Sequence, residues 1–531
     1  MKNHRFISLT FVCLMLVLAS CTMKPDPPEA MKLPGNENAI RAYINAENEY
    51  AGKWLDQFSA LRKKIIQEVT SRQFTVPDDD APGNDSVFNG GGPWKIKVTN
   101  KKEAHLVSSA NHKEEDRVIY TENDPDFNIS LRISSSKNYI FIESTGPGSS
   151  EVRFLQISLK PQNPVLIQKR KPGVVYRADH FGGNTIWIIT NENAPNRCIL
   201  IAGTHNPDPA KWKAAVREND SVYIDDYSVI NLKYLVLVQK KHLSTSIEIT
   251  DLYAANKSGK ENRINFPEPE GRISGLYYDN KEDKIVFRYS SMITPPTLYT
   301  YGVHSMHMGI RWKKRVKNYT PDDYKAGVIR VKSNNNVPLP VSLIRKRDLE
   351  KMDGTNPLVI FIDSGKPREH GEGFNPGLLS LLDRGFYIAR VHLPYDISDR
   401  EGSDAIKSVV LSLSDKKYTS PGQVTIEGNG HETSMIIRTA KENPSYFRTL
   451  VINSPAASGK ADLAEVPFTY LHIDPQSPDK GSGSLIIASA MRKNLKSVNT
   501  LLVSTDNEPD IPEKPSPGQI TFILASYGIK Q

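Results

Sequence analysis

The spacing of apolar residues changes once along this chain, and that change limits the fold to two kinds of layer. From about Val118 to Val341, apolar and polar residues alternate in short runs such as Tyr139 to Ile142 and Tyr234 to Val238. Side chains along a strand point alternately to its two faces. Many short strands with turn residues between them and no intervening helix predict an all-β domain, which could be a sandwich, a barrel or a propeller.

Beyond Val341 the apolar runs become continuous and alternate with helical segments. Strands are predicted at Leu358 to Asp363, Phe386 to Val391, Val424 to Gly428, Leu450 to Asn453, Leu501 to Ser504 and Ile520 to Leu524, with helices at Pro376 to Arg384 and Ser434 to Asn443. Strands that are apolar throughout are buried on both faces. This half of the chain therefore predicts a parallel sheet covered by helices, which is an α/β domain.

One long amphipathic helix is predicted before the strands. Its periodic positions are three or four residues apart: Ile40, Tyr43, Glu47, Tyr50, Trp54, Phe58, Leu61, Ile65 and Val69. All of them are apolar except Glu47, so one face of the helix must be buried against a large surface.

The first residues predict export and lipidation. Lys2 and Arg5 precede an apolar run from Phe11 to Leu18, which is too short to span a bilayer with its polar flanks and is typical of a signal peptide. Leu18-Ala19-Ser20-Cys21 resembles a lipobox, which implies cleavage before Cys21 and attachment to membrane lipid through its thiol. We expect an exported bacterial lipoprotein of the outer membrane; an ordinary signal peptide is the alternative.

Composition excludes several classes of function. Lys and Arg total 68 against 60 Asp and Glu, and the net charge of +8 is dispersed, so no nucleic-acid partner is expected. The three cysteines are Cys13 in the signal, Cys21, and Cys198 in an apolar run, which leaves no disulfide framework and no Cys-based metal site. We expect neither a cofactor nor a metal, because His370, Glu372 and His392 have no metal-ligand spacing.

Short segments along most of the chain resemble the prolyl oligopeptidase family, and most closely its oligopeptidase B branch. They are Ala42 to Tyr50, Glu122 to Phe127, Ser149 to Leu155, Pro172 to Tyr176, Tyr289 to Pro296, Val337 to Leu343, Leu381 to Phe386 and Tyr418 to Pro421. The resemblance implies a multidomain fold with both all-β and α/β parts, in which a β-propeller caps an α/β-hydrolase domain and the N-terminal helix packs on the hydrolase.

The resemblance also implies domain limits. We expect a signal peptide at 1–20, a tether at 21–35, the N-terminal helix at 36–75, a propeller at 90–345 and a hydrolase domain at 346–531. Little strand pattern is visible before Val118, which predicts a truncated propeller. The segment from Pro455 to Leu485 is short for the family, which predicts a shortened hydrolase domain.

The turn that carries the family's nucleophile departs from the family pattern. The segment from Val424 to Thr433 reads as a strand, a tight turn and the start of a helix, which is the context of a nucleophile elbow. The family's serine falls at Gly430, which has no side chain to attack a carbonyl. The family's oxyanion-binding tyrosine falls at Ser364. His431 and Glu432 are expected to face solvent, because adjacent turn residues rarely converge on one atom.

The other two triad positions are also altered by the same resemblance. The family's acid lies in an Asn-Asp-Pro turn after a late strand, and the nearest match is Asn507-Glu508-Pro509, which puts the acid at Glu508. The family's histidine follows the last strand, and that position falls at or near Gln531. No catalytic residue is therefore expected to be intact, and Gly430→Ser alone is not expected to restore hydrolysis.

Three functions stay open at this point. The first is a lipid-anchored, catalytically inactive protein that binds peptides or a protein partner in the cleft between the domains. The second is an active serine endopeptidase that cleaves after basic residues with a non-standard nucleophile, for which Thr433, Ser434 and Ser454 are the nearest hydroxyls. The third is a decayed protein without a selected function.

Overall fold

The computed structural model describes most of the 531 residues. The described ranges are 25–30, 37–73, 87–89, 94–110, 113–158, 163–253, 262–266, 268–334, 338–364, 373–394, 397–455, 466–474, 482–494, 499–505 and 515–531. The predicted lipidation site at Cys21 lies outside them. No helix in these ranges has both the length and the apolar character needed to cross a bilayer.

Twenty strands in the first half of the chain form five antiparallel sheets of four strands each, within the described residues. Their bounds are β1 Val87–Asn89, β2 Trp94–Thr99, β3 Glu103–Ala110, β4 Lys113–Thr121, β5 Asn128–Ile133, β6 Tyr139–Gly146, β7 Ser149–Gln156, β8 Val165–Gln168, β9 Tyr176–His180, β10 Thr185–Thr190, β11 Cys198–Gly203, β12 Lys213–Val216, β13 Tyr223–Ile230, β14 Tyr234–Lys241, β15 Ser244–Asp251, β16 Asn262–Phe266, β17 Arg272–Asp279, β18 Lys284–Ser290, β19 Thr297–Gly302 and β20 Met308–Lys313. We call these sheets blades 1 to 5 in chain order.

Consecutive blades pack face to face, which is the arrangement of a β-propeller. Strand β10 shows how the sequence produces it, because Ile186 and Ile188 are buried against blade 2 while Trp187 and Ile189 are buried against blade 4. Similar apolar layers join blade 1 to blade 2 and blade 4 to blade 5. Successive side chains of one strand thus enter two different cores, so both faces of an inner blade are apolar.

The second half of the chain forms one sheet of eight strands with helices on both faces. Its strands are β21 Tyr324–Lys332, β22 Pro338–Lys346, β23 Leu358–Asp363, β24 Tyr387–His392, β25 Val424–Asn429, β26 Phe447–Asn453, β27 Phe468–His472 and β28 Thr500–Ser504, in the spatial order β21-β22-β24-β23-β25-β26-β27-β28. The first three strands in this order pair antiparallel, and the pairs from β24 to β28 are parallel. This is the α/β-hydrolase arrangement, and the predicted shortening does not remove strands from it.

The helices are α1 Glu37–Asp56, α2 Ser59–Arg72, α3 Leu379–Leu382, α4 Asp399–Asp415, α5 Glu432–Glu442, α6 Ser482–Asn494 and α7 Pro517–Ser526. The predicted single N-terminal helix is interrupted between Asp56 and Ser59, and this bend lets Trp54 pack on both Phe58 and Phe522 of α7. Both N-terminal helices lie on the α/β domain, where their apolar residues join its two cores.

Three local predictions are wrong. Ile520 to Leu524 is part of helix α7, because Ser516 and Gln519 form a capping box and Pro517 occupies the first turn. Strands β21 and β22 belong to the α/β sheet, so the boundary between the domains lies before Tyr324 and not at 345. Sheet structure also begins before Val118, because blade 1 spans Val87 to Thr121.

Candidate active site

The turn after β25 has the backbone of a nucleophile elbow. Strand β25 ends at Asn429, helix α5 begins at Glu432, and Gly430 between them has a φ of +52°. The Gly430 N–H donates to the Asn453 carbonyl over 3.0 Å, and the Thr433 hydroxyl donates to the Gly430 carbonyl over 2.6 Å. The left-handed conformation favours glycine, and it is also the strained conformation that a nucleophile elbow imposes on its serine. The predicted strand–turn–helix is therefore present.

Gly428 and Gly430, the two glycines of this segment, differ in the space that each leaves for a side chain. A Cβ atom built on Gly430 would meet no atom within 4 Å apart from its chain neighbours, so the apex is open. A Cβ atom on Gly428 would lie 2.2 Å from Cδ1 of Ile436, because strand β25 and helix α5 approach closely there. Gly428 thus permits packing, whereas Gly430 leaves empty the place where a nucleophile side chain would stand.

His431 and Glu432 converge on Ser364, contrary to the prediction that they face solvent separately. Ser364 follows β23, the strand beside β25, and its Oγ lies 2.8 Å from His431 Nε2 and 3.0 Å from Glu432 Oε1. The Ser364 N–H also donates to Glu432 Oε1 over 2.8 Å, and the Asn429 N–H donates to Glu432 Oε2 over 3.2 Å. Only His431 is exposed, because Ser364 and Glu432 are both buried.

This cluster fixes one carboxylate beside the open apex. Glu432 accepts three hydrogen bonds from backbone N–H groups and the Ser364 hydroxyl, which satisfies a group that is otherwise costly to bury. The His431 imidazole reaches the same hydroxyl from the solvent side. The arrangement brings a hydroxyl, an imidazole and a carboxylate together, but the hydroxyl follows the neighbouring strand β23 and does not stand at the apex of the elbow.

Two of the three other hydroxyls considered from the sequence are engaged in hydrogen bonds elsewhere. Thr433 bonds the Gly430 carbonyl, as described above, and Ser434 donates to Asp399 Oδ1 over 2.7 Å and to the His431 carbonyl over 2.9 Å. Ser454 follows β26 with a φ of +46°, and its N–H donates to the His472 carbonyl. Ser364 was placed at the family's oxyanion position but not among the candidate nucleophiles, because only the tertiary fold shows its contacts with His431 and Glu432.

The strand order moves the expected position of the family's histidine away from Gln531. The last strand is β28, so the family's histidine position lies in the segment after Ser504 and not at Gln531, which is exposed beyond α7. The sequence contains no histidine after His472. Glu508 lies outside the described residues. Asp474 directly follows β27, and the predicted role of Glu508 stays a prediction.

A buried charged cluster joins the propeller to the α/β domain near the ends of β23 and β24. Glu270, from the loop between blades 4 and 5, places Oε1 3.1 Å from His392 Nε2 and Oε2 3.3 Å from Arg390 Nε. The Ser342 hydroxyl lies 3.0 Å from the same Nε2, and on the other side of the ring Asp363 Oδ2 lies 3.5 Å from Nδ1. These side chains meet only when the two domains are closed on one another.

The pKa values in this cluster shift toward the charged forms. Burial lowers the pKa of His392, but hydrogen bonds and attraction from Asp363 and Glu270 outweigh it, so the pKa is raised. Burial raises the pKa of Glu270, but Arg390 and His392 outweigh it, so the pKa is lowered. Among the described residues, no group of three or more His, Cys, Asp or Glu side chains is placed to hold a metal ion.

Comparison with known proteins agrees with this architecture. Residues 99–310 match the model of the family described as "Prolyl oligopeptidase, N-terminal beta-propeller domain". These residues therefore form a propeller domain of the prolyl oligopeptidase type. The members of this family are serine peptidases, and the matched residues run from the end of β2 into β20 of the five blades.

Relatives and solved structures extend the match to the α/β domain. "Prolyl endopeptidase-like" of Xenopus laevis is 22% identical over 360 residues, covering 64% of this chain and 49% of the relative. "Protease 2" of Moraxella lacunata is 22% identical over 384 residues, covering 68% and 53%. The chain thus spans about half the length of the curated relatives it matches. Oligopeptidase B from Trypanosoma brucei, solved in a closed form with bound antipain, superposes with a TM-score of 0.75 at 16% identity, covering 96% of this chain and 97% of that one. The fold is therefore that of the oligopeptidase B-like branch.

Proposed function

We propose that this chain is a lipid-anchored, oligopeptidase B-like protein that binds peptides in the cleft between its domains without hydrolysing them. The observation that carries the proposal is Gly430, which occupies the apex of an intact elbow and offers no nucleophile. Without a nucleophile, the acid and base of a triad cannot support covalent catalysis.

The charges around the apex support the same proposal. Acyl transfer requires donor groups aimed at the oxyanion that develops in the transition state. Here the buried Glu432 carboxylate accepts hydrogen bonds from the backbone N–H groups of Ser364 and Asn429, and its negative charge would repel an oxyanion nearby. Gly430→Ser would restore a hydroxyl but not this environment, so we expect the variant to remain inactive.

Peptide binding is the activity that the remaining architecture can support. The propeller contacts the α/β domain at the carboxyl end of β24, and the carboxyl ends of such strands are where open α/β sheets place their ligands. The open apex at Gly430 adds room in this cleft. Antipain is bound by the Trypanosoma brucei oligopeptidase B, which shares the fold, and a peptide-like ligand is the natural candidate here.

One observation favours the second function, a serine endopeptidase with a non-standard nucleophile that cleaves after basic residues. The Ser364 hydroxyl lies 2.8 Å from the His431 imidazole, within the reach of a nucleophile–base pair. Against it, Ser364 is fully buried and also bonds Glu432, so a substrate carbonyl has no path to its oxygen.

The test is a hydrolysis assay on the unlipidated protein begun at Thr22, using fluorogenic peptides that include Arg- and Lys-containing members. We expect no turnover from the native protein or from Gly430→Ser, and saturable binding of the same peptides carrying a fluorescent label. Turnover that a serine-reactive inhibitor abolishes would reject the non-hydrolytic function. If Ser364→Ala also abolished that turnover, the second function would replace it, whereas Ser434→Ala serves as the matched control on a half-buried serine.

The lipid anchor has a separate test. Metabolic labelling with a radioactive fatty acid should mark the full-length chain, and Cys21→Ser should remove the label. Retention of the label in that variant would exclude Cys21 as the attachment site, without affecting the hydrolysis result.

A further inference from the structure

Five exposed apolar side chains lie on blades 4 and 5 of the propeller. They are Leu252, Tyr253, Met306, Met308 and Ile310. Tyr253 at 75%, Met306 at 60% and Ile310 at 58% have the largest exposed fractions among the large apolar side chains that the structure describes. Scattered apolar residues on a surface need no explanation, but a contiguous group marks a site of interaction.

These residues share one corner of the molecule because two contacts hold the blade edges together. The Asn262 side chain at the start of β16 donates to the Val303 carbonyl over 3.4 Å, which joins the end of blade 4 to the turn before β20. His304 in the same turn stacks edge to face on Tyr234, with ring centroids 6.0 Å apart, and Tyr234 pairs with Asp251 across the sheet. Leu252 and Tyr253 directly follow Asp251, so they lie beside the turn that carries Met306.

A basic segment continues from the apolar corner. Lys313, Lys314, Arg315 and Lys317 place four cations within five residues after Trp312, and all but Lys314 are exposed. The register of β20 puts Lys313, the first residue of the segment, on the apolar side, because Met308, Ile310 and Lys313 pair with Tyr301, Tyr299 and Thr297. Those three residues of β19 alternate and so share a face, and a bulge in β20 after Ile310 keeps Lys313 on the same face as Met308 and Ile310.

We propose that the apolar corner and the basic segment together form a docking surface for an anionic lipid membrane. Exposed aromatic and aliphatic side chains enter the boundary between headgroups and acyl chains, and adjacent cations pair with anionic headgroups. Charge complementarity selects this occupant, because an apolar protein partner would give no reason for four clustered cations beside the patch. The surface belongs to the propeller, far in sequence from Cys21, so the docking does not depend on the lipid anchor or on the function of the cleft.

The test is flotation of the unlipidated protein, begun at Thr22, with two kinds of vesicle. One contains phosphatidylglycerol mixed with phosphatidylcholine, and the other contains phosphatidylcholine alone. We expect binding to the first kind only, and loss of that binding at high salt, since salt screens exposed charges. Equal binding to both kinds, or no binding to either, would overturn the proposal.

The basic segment is tested by the variant Lys313→Gln/Arg315→Gln/Lys317→Gln. Each cation near an anionic surface contributes about a fivefold gain in binding, so the variant should bind about a hundredfold more weakly. The matched control is Lys63→Gln/Lys64→Gln/Lys416→Gln, which removes the same charge from exposed positions on α2 and after α4. An equal loss in the control would assign the binding to overall charge and reject the segment.

The apolar corner is tested by Met306→Ser/Met308→Ser/Ile310→Ser, with Ile66→Ser/Leu411→Ser/Ile486→Ser as the control. Both sets consist of exposed residues, so the far-ultraviolet circular dichroism should stay unchanged. We expect only the first variant to lose vesicle binding. If the native protein instead self-associates in sedimentation and the first variant becomes monomeric, the corner is an interface between copies and the membrane proposal fails.

Discussion

Glu47 and Arg492 form a buried ion pair that ties helix α1 to helix α6. Arg492 Nε donates to Glu47 Oε1 over 3.0 Å and its Nη2 donates to Oε2 over 2.5 Å. The two side chains are 1% and 2% exposed, and the guanidinium also lies over the Tyr50 ring with 4.8 Å to the centroid. Glu47 is the one polar residue among the periodic positions of the N-terminal helix, and this partner explains it.

Replacing Glu47 with Ala should destabilise the protein strongly. The substitution leaves the Arg492 charge buried without a partner, and breaking a buried pair in this way costs about 3–5 kcal/mol. Domains of ordinary stability unfold with about 5–15 kcal/mol, so the loss is a large part of the total. Replacing both residues, as Glu47→Leu/Arg492→Met, removes both charges and should cost much less than the single change.

The measurement is equilibrium urea unfolding of the protein begun at Thr22, followed by tryptophan fluorescence. The matched control is Glu49→Ala on the same helix, because Glu49 pairs with Lys53 on the exposed face and its loss should leave the midpoint unchanged. The reasoning is refuted if Glu47→Ala and Glu49→Ala shift the midpoint equally, or if the double variant is as unstable as Glu47→Ala alone.

The remaining predictions concern the elbow and the domain interface. Gly430→Ser should fold, with a free energy of unfolding about 1–2 kcal/mol lower because residue 430 has a left-handed φ. Thermal unfolding measures this loss, and a larger one would mean that the open apex does not accept the side chain. Gly428→Ala should cost about 1–3 kcal/mol through its approach to Ile436, and a neutral result in the same melt would mean that the isoleucine moves aside freely. The pKa of His392 is raised, so its contribution to stability is complete below the pKa of the unfolded state and is lost as the pH rises through the raised value. The pKa of Glu270 is lowered, so its contribution is complete above the pKa of the unfolded state and is lost as the pH falls through the lowered value. The melting temperature should therefore be highest between these two pH ranges and fall at lower and at higher pH. Glu270→Gln should lower the melting temperature and flatten its dependence on pH. An unchanged pH dependence in this variant would exclude the interface cluster as its source.

Local patterns in the sequence identified the layers of the fold correctly. The alternating runs predicted strands such as β6 and β14, and the continuous run from Leu358 to Asp363 coincides with β23. Whether apolar residues alternate or run continuously shows how many faces of a strand are buried, so this pattern can be used without knowing the partner strands. The same reasoning failed for Ile520 to Leu524, since a short apolar run fits a buried helix as well as a strand, and the capping residues Ser516 and Gln519 were the missed signal.

Neighbouring residues were enough to show that Gly430 follows a strand and stands in a tight turn, Asn429 to His431, that contains no Ser, Thr or Cys. The surroundings of that turn depend on the tertiary structure, because Ser364 is 67 residues away from His431 in the chain and reaches it through the pairing of β23 with β25. The partner of Glu47 was hidden for the same reason, since Arg492 is 445 residues away. Periodicity is a property of neighbouring residues, whereas a site is made by contacts between distant ones, and those contacts exist only after the sheet has ordered its strands.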